Sequence, residues 1–223
     1  MTGRFRGFPP EALSFYAGLE ADNTKSYWTA HKALYDSAVR APMEALIAEV
    51  DERYRPLRMF RPHRDVRFSP DKTPYKTHAG ALGEDEGGAI YYVQLSAAGL
   101  MAAAGFYAMA SDQLVRFRAA VLDDDRGAVL TGLVAAAQRA GYEAVAVGAL
   151  KTAPRGVPRD HPCIELLRRK GLALGRRWPT AAWLHTAAAR RRVEQAWAGT
   201  EAVNDWLRTN VGPSELAPED AWG

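Results

Sequence analysis

Between Arg61 and Gly80 the chain gathers side chains that hold and move charge. Arg61, Arg64, Arg67, Lys72, Lys76 and His78 alternate with Asp65 and Asp71, and Tyr75 stands among them. A guanidinium fork matches the oxygens of a phosphate or carboxylate, an ammonium adds a compact charge, and a phenol donates one directed bond. The expected result is an anion pocket over residues 64–78, in which Arg64, Arg67, Lys72 and Lys76 hold a phosphate or carboxylate. Asp65, Tyr75 and His78 are then the candidates for proton transfer beside it. The two lysines carry extra weight. The chain has 23 Arg and 41 Ala against only 6 Lys, so arginine is compositional background, yet Lys72 and Lys76 fall within five residues of each other.

Such a pocket needs a stiff backbone, and the same stretch supplies one. A short strand over Asp65–Phe68 would set Asp65 and Arg67 on one face and Val66 and Phe68 on the other. Ser69 to Lys72 reads as a turn, with Pro70 fixing φ and Asp71 bonding its own backbone. Thr73-Pro74 then holds the chain extended before Tyr75. The loop Lys151–Arg159 adds Lys151, Arg155 and Arg159 as a second candidate wall, and Trp28 and Tyr92 are candidate stacking faces. Two functions fit, with a structural reading beside them. One is an enzyme acting on a small anionic metabolite or nucleotide. Another is a non-catalytic module binding nucleic acid or an acidic partner, and the third is a purely structural charged motif.

Other chemistry is poorly represented. His63-x-Asp65 has the spacing of the first two ligands of a non-haem iron facial triad, with His161 or His185 as a distant third, but so short a spacing is degenerate and no metal is expected. There is no Gly-x-Ser-x-Gly elbow and no Gly-x-x-x-x-Gly-Lys phosphate loop. Cys163, the single cysteine, sits at a helix start with only His161 nearby and reads as inert. His31 reads as a bonded core histidine, and Arg190-Arg191-Arg192 as a solvated helix face. No cofactor is indicated.

The elements that must position the motif follow from periodicity. Helices are expected over Pro10–Leu19, Thr24–Val39 and from Pro42 through Met43, Leu46, Ile47, Val50 and Tyr54. Arg55 to Gly88 reads as a polar loop, since four prolines bar any long helix. Ala89–Ser96 alternates as a half-buried strand, Ala97-Ala98-Gly99 turns, and Leu100–Met109 returns as its antiparallel partner. Helices follow from Ser111 or Asp112, which would cap the first of them, and on to Ala140. Strands are expected over Tyr142–Leu150 and Leu172–Trp178, and helices over Thr180–Trp197 and Glu201–Thr209. This order predicts a single α+β domain over residues 1–211, a mainly antiparallel sheet covered by helices, with a mobile tail over 212–223.

Composition sets the outer bounds. A chain of 223 residues buries roughly 70% of its unfolded surface and needs no disulfide or metal staple. One cysteine leaves no internal disulfide framework, no apolar run reaches membrane-spanning length, and the first residues lack a secretory pattern. A cytoplasmic location is expected. The net charge of +3 and pI of about 9.0 are a mild excess, far from a concentrated nucleic-acid surface.

The segment Arg64-Asp-Val-Arg-Phe-Ser-Pro-Asp-Lys-Thr-Pro-Tyr-Lys-Thr-His-Ala-Gly80 resembles the signature of a bacterial family of conserved hypothetical proteins, domain of unknown function 2461. Flanking stretches are similar too: Phe8 with Asn23 and Trp28, Ala89–Ser96, Gly105–Arg118, Ala153-Pro-Arg-Gly with Asp160-His-Pro, and Trp183-Leu-His. The resemblance covers about residues 5 to 211. It implies no activity, cofactor or catalytic residue. The chain departs from the pattern at Ala102-Ala103-Ala104, where glycine is the commoner choice, which weakens a glycine-lined pocket there.

Overall fold

Apolar residues at helical spacing open the chain. In the computed structural model, which describes residues 3–65, 72–145 and 148–216, α1 (Pro10–Ala21) starts on a proline and buries Ala12, Phe15, Tyr16 and Leu19. Thr24 caps α2 (Lys25–Leu34), its hydroxyl accepting from the Tyr27 N–H at 3.2 Å. The helix expected to run to Val39 instead widens into a π-helical turn, Tyr35–Arg40, which passes directly into α3 (Ala41–Glu49). Pro42 accounts for the change. It has no N–H to offer the Ala38 carbonyl and its ring crowds that carbonyl, and a wider turn absorbs both faults.

The polar stretch 55–88 is not a loop throughout. It carries β1 (Arg58–Met59) and β2 (His78–Glu84). Its prolines exclude helix but tolerate an edge strand, which is the place β1 takes. Then come β3 (Ile90–Ser96), β4 (Gly99–Phe106), α4 (Ser111–Leu122), α5 (Asp124–Arg139), β5 (Glu143–Ala144), α6 (Ile164–Leu167), β6 (Leu172–Trp178), α7 (Ala188–Ala198) and α8 (Glu201–Asn210). The strands form one antiparallel sheet in the order β1-β2-β3-β4-β6-β5. The fold is α+β, with helical and strand segments grouped rather than alternating.

In β3, Tyr91, Val93 and Leu95 are buried while their neighbours are half-buried, the expected alternation. β4 is buried at every residue. Gly105, at φ +138, comes so close to β6 that a Cβ there would stand 2.4 Å from the Leu172 carbonyl oxygen; the small residues of β4 serve close packing. Among the described residues of the expected Tyr142–Leu150 strand, Glu143 and Ala144 join the sheet as β5, opposite Gly175 and Leu174. The expected helix from Thr180 begins only at Ala188, because residues 182–185 make a 3-10 turn. There the Leu184 carbonyl accepts from Phe8 N–H at 3.0 Å and the His185 ring bonds the Phe8 carbonyl at 2.7 Å.

Two compact units divide the chain. The first comprises Met1–Gly83, Tyr92–Ala102 and Arg177–Gln195. Its core is aromatic, with Phe15 at ring-centroid distances of 5.2 Å from Tyr16, 5.8 Å from Trp28 and 5.5 Å from Tyr35. The second comprises Glu84–Tyr91, Ala103–Arg176 and Ala196–Gly223. It packs Phe106, Phe117, Leu130, Leu167, Leu172, Trp206 and Leu207 into one cluster. In this unit α4 is capped neither by Ser111 nor by Asp112. Ala110 precedes the helix, its N–H donating to Gln113 Oε1 at 2.9 Å. Asp112 instead accepts from Ser214 Oγ and the Glu215 N–H, each at 2.9 Å, and so ties residues 212–216 to α4.

Candidate functional site

The described residues of the motif lie on a two-stranded ribbon of the first unit. Arg58 pairs with Leu82 and Met59 with Ala81, and the Phe60 N–H donates to the Gly80 carbonyl at 2.8 Å. Pairing resumes where His63 faces Tyr75. The Arg64 N–H donates to the Pro74 carbonyl at 2.9 Å and the Lys76 N–H to the Pro62 carbonyl at 2.8 Å. Three steps from Phe60 to His63 are matched by five from Tyr75 to Gly80, so the second strand bulges. Thr77, His78 and Ala79 stand opposite Arg61 in that bulge, just beyond Lys76, a device that re-aims side chains.

Tyr75 fastens the ribbon to the aromatic core. It is buried, and its ring lies on Trp28 at 4.4 Å with the planes 8° apart. The His63 ring lies 5.1 Å from Tyr75. The side chain of Asn23 grips the Tyr75 backbone from both sides, donating to its carbonyl at 3.0 Å and accepting from its N–H at 3.1 Å. Tyr75 is thus placed as a packing anchor, with its backbone held by a residue one step before the α2 cap.

Arg64 and Lys76 are diagonal neighbours across the His63–Tyr75 pair, within reach of one another for long side chains. Lys76 extends its ammonium over the Phe60 ring, 4.8 Å from the centroid. Burial lowers the pKa of Lys76, and the charges of Arg61 and Arg64 lower it further. His78 is half-buried at the start of β2. Burial likewise pushes its pKa below the ordinary value, and Lys76 and Arg64 add to the effect. Arg61, Arg64, Lys76 and His78 are therefore one electrostatic group. Asp65 and Lys72 are exposed at the ends of the described ribbon. Arg67 and Asp71 lie outside the described residues, as does most of the expected Asp65–Phe68 strand.

A cleft of about 420 Å³ opens beside the ribbon, lined by Trp28, Tyr35, Met59, Phe60, Arg61 and His63 together with charged residues of α2 and α3 and the π-helical turn between them. The charged residues form ion pairs, Lys32 with Asp36 and Arg40 with Glu44. Sequence reading missed this wall: the π-helical turn that sets Tyr35, Asp36 and Arg40 leaves no mark on apolar periodicity, and Pro42 is its one signal. Tyr92 stays near the ribbon, its ring 6.2 Å from Phe60 and its hydroxyl donating to Gln94 at 2.8 Å. Gly80 makes room for both rings, since a Cβ would stand 2.8 Å from the Tyr92 oxygen.

Lys151 and Arg159 line a small cleft of about 230 Å³ with Glu165 and Arg168 in the second unit. His31 bonds the Tyr27 carbonyl at 2.9 Å, and His161 Nδ1 accepts from the Cys163 N–H at 3.1 Å. Among the described residues no three His, Cys, Asp or Glu side chains gather at a metal-binding spacing. No helix among them is long and apolar enough to cross a membrane.

An α+β sheet carrying a bulged, cation-bearing edge ribbon defines the class of this protein by its form. The chain belongs to the family described as conserved hypothetical protein (DUF2461), whose model matches residues 11–206 and so takes in the ribbon, the cleft and both units. No curated protein and no solved structure matches it.

Proposed function

We propose that the bulged ribbon binds a small molecule through its phosphate or carboxylate group, with Arg64 and Lys76 as the principal cations and Arg61 beside them. The observation that carries this reading is the ribbon register, which makes Arg64 and Lys76 diagonal neighbours across the His63–Tyr75 pair; burial and like charge accordingly lower the pKa of Lys76 and His78. Like charges in a partly desolvated place raise the free energy of the folded chain, and an anion at that place relieves the repulsion. The cluster is compact and anchored through Tyr75 and Asn23, which favours a small ligand over an extended nucleic-acid backbone. His78, whose surroundings favour the neutral imidazole, is the group suited to take a proton from a bound ligand, and Asp65 is the second candidate. In this reading the protein is a cytoplasmic bacterial one, consistent with a chain that has a single cysteine.

Thermal shift in inorganic phosphate tests the reading. Phosphate is expected to raise the melting temperature of the wild type, and Arg64→Ala and Lys76→Ala, both still folded, are expected to lose most of that rise. No rise in the wild type, or an undiminished rise in both variants, would overturn it.

A further inference from the structure

The cleft beside the ribbon narrows the class of ligand. Its open aromatic face is Phe60, 38% exposed, while Trp28 and Tyr35 line it as buried rings, and its volume of about 420 Å³ lies within the usual range of roughly 300–1,000 Å³ for small-molecule sites. Two features join it to the anion cluster. Arg61 belongs to both, lining the cleft while acting on the Lys76 charge. The Lys76 ammonium, 4.8 Å from the Phe60 centroid, stands over a ring of the cleft wall. A ligand whose anionic group bridges Arg61 and Lys76 therefore meets the Phe60 side of the cleft.

The other wall decides what that remainder is. Asp36 and Glu44 line the cleft as acceptors, their side chains 40% and 43% exposed. Each is paired with a flexible cation on its own helical run, Lys32 and Arg40. The second oxygen of each half-exposed carboxylate can accept from a partner that donates hydrogen bonds, such as a ring N–H, an exocyclic amine or a sugar hydroxyl. Stacking on aromatic faces, hydrogen bonds to carboxylates and a clamped anion are together the requirements of a nucleotide.

We infer that the Trp28–Tyr35–Phe60 cleft and the Arg61–Lys76 rim form one site for a nucleoside monophosphate, its phosphate on the cations and its base against the aromatic wall. The inference rests on the anion-binding reading above and is separable from it. Calorimetric titration compares inorganic phosphate with AMP, GMP, CMP and UMP on the full-length wild type and on Asp36→Asn with Glu44→Gln, a pair of exposed substitutions that leaves the cations in place. At least one nucleotide is expected to bind tenfold or more tightly than inorganic phosphate. The double variant is expected to lose most of that advantage, while its affinity for phosphate, with Lys32 and Arg40 released from their ion pairs, stays the same or rises. Phosphate binding without any advantage for a nucleotide would overturn the nucleotide inference and leave the anion site standing. A nucleotide advantage unchanged in the double variant would overturn the carboxylate wall. Failure of both phosphate and all four nucleotides to bind would overturn the two readings together.

Discussion

Tyr75 and Asn23 carry the precision of the site. A ring stacked on Trp28 at 4.4 Å and a backbone gripped at 3.0 and 3.1 Å fix the residue between two cationic neighbours. Truncating so buried an aromatic costs about 3–5 kcal/mol, so Tyr75→Ala is expected to lose that much in chemical denaturation. Tyr75→Phe keeps the ring and is expected to stay within about 1 kcal/mol of wild type, since little but a hydroxyl is removed. A large loss of ligand turnover in a stable Tyr75→Phe variant would instead restore the phenol to proton transfer. Asn23→Ala removes both bonds to a buried backbone and is expected to cost about 1–3 kcal/mol. The cationic character of the motif was readable because Arg, Lys and His announce charge by themselves. The anchoring was not, since Asn23 lies 52 residues from Tyr75 and only the folded chain brings them together.

At the scale of elements, side-chain latches hold segments that periodicity leaves open. Asp112, inside α4, has its carboxyl pulled down to about 2 by the Glu215 N–H first, with Ser214 and Arg116 adding to the effect. A depressed carboxyl stabilises fully above its ordinary value of 3.8 and loses that contribution as pH falls through about 2. Docking of residues 212–216 on α4 is thus expected to survive mild acid, while Asp112→Ala is expected to speed amide hydrogen exchange at Glu215 and Leu216. Exchange as slow as in wild type would contradict the latch. Arg208 of α8 ties Asp85 at 2.7 Å and Glu201 at 2.8 Å, and Asp85 in turn accepts from the Gly87 and Ala89 amides at the turn into β3. Arg208→Ala is expected to cost about 1–3 kcal/mol, read from denaturant midpoints. Helices with clean stripes and the alternating β3 were readable in the sequence. The π-helical turn, the edge strand β1 and the 3-10 turn at 182–185 were not, because each is set by a proline or by pairing with a distant segment rather than by local apolar spacing.

Across the whole molecule, a net charge of +3 is too small to gather anions by long-range field. In the proposed reading, anion recognition therefore comes from local concentration of charge. The α+β class was readable from element order, whereas the bulge that gathers Lys76 and His78 on the ribbon depends on a register that no local pattern reports. The central claim is that an anion sits on this ribbon, and His78 is its built-in reporter. Folding holds His78 below its ordinary value of 6.5 through burial first and then through Lys76 and Arg64. As pH falls the unfolded chain takes up this proton first, so stability declines below about 6.5, and a bound anion raises the His78 pKa and restores stability there. Sulfate stays doubly charged over this range and serves as the probe. The direct measurement is the NMR titration of the His78 ring, assigned with His78→Asn, in the absence and presence of sulfate. An upward move of the His78 pKa with sulfate, lost in Lys76→Ala, is the predicted result; a His78 titration that sulfate leaves unmoved would contradict the account.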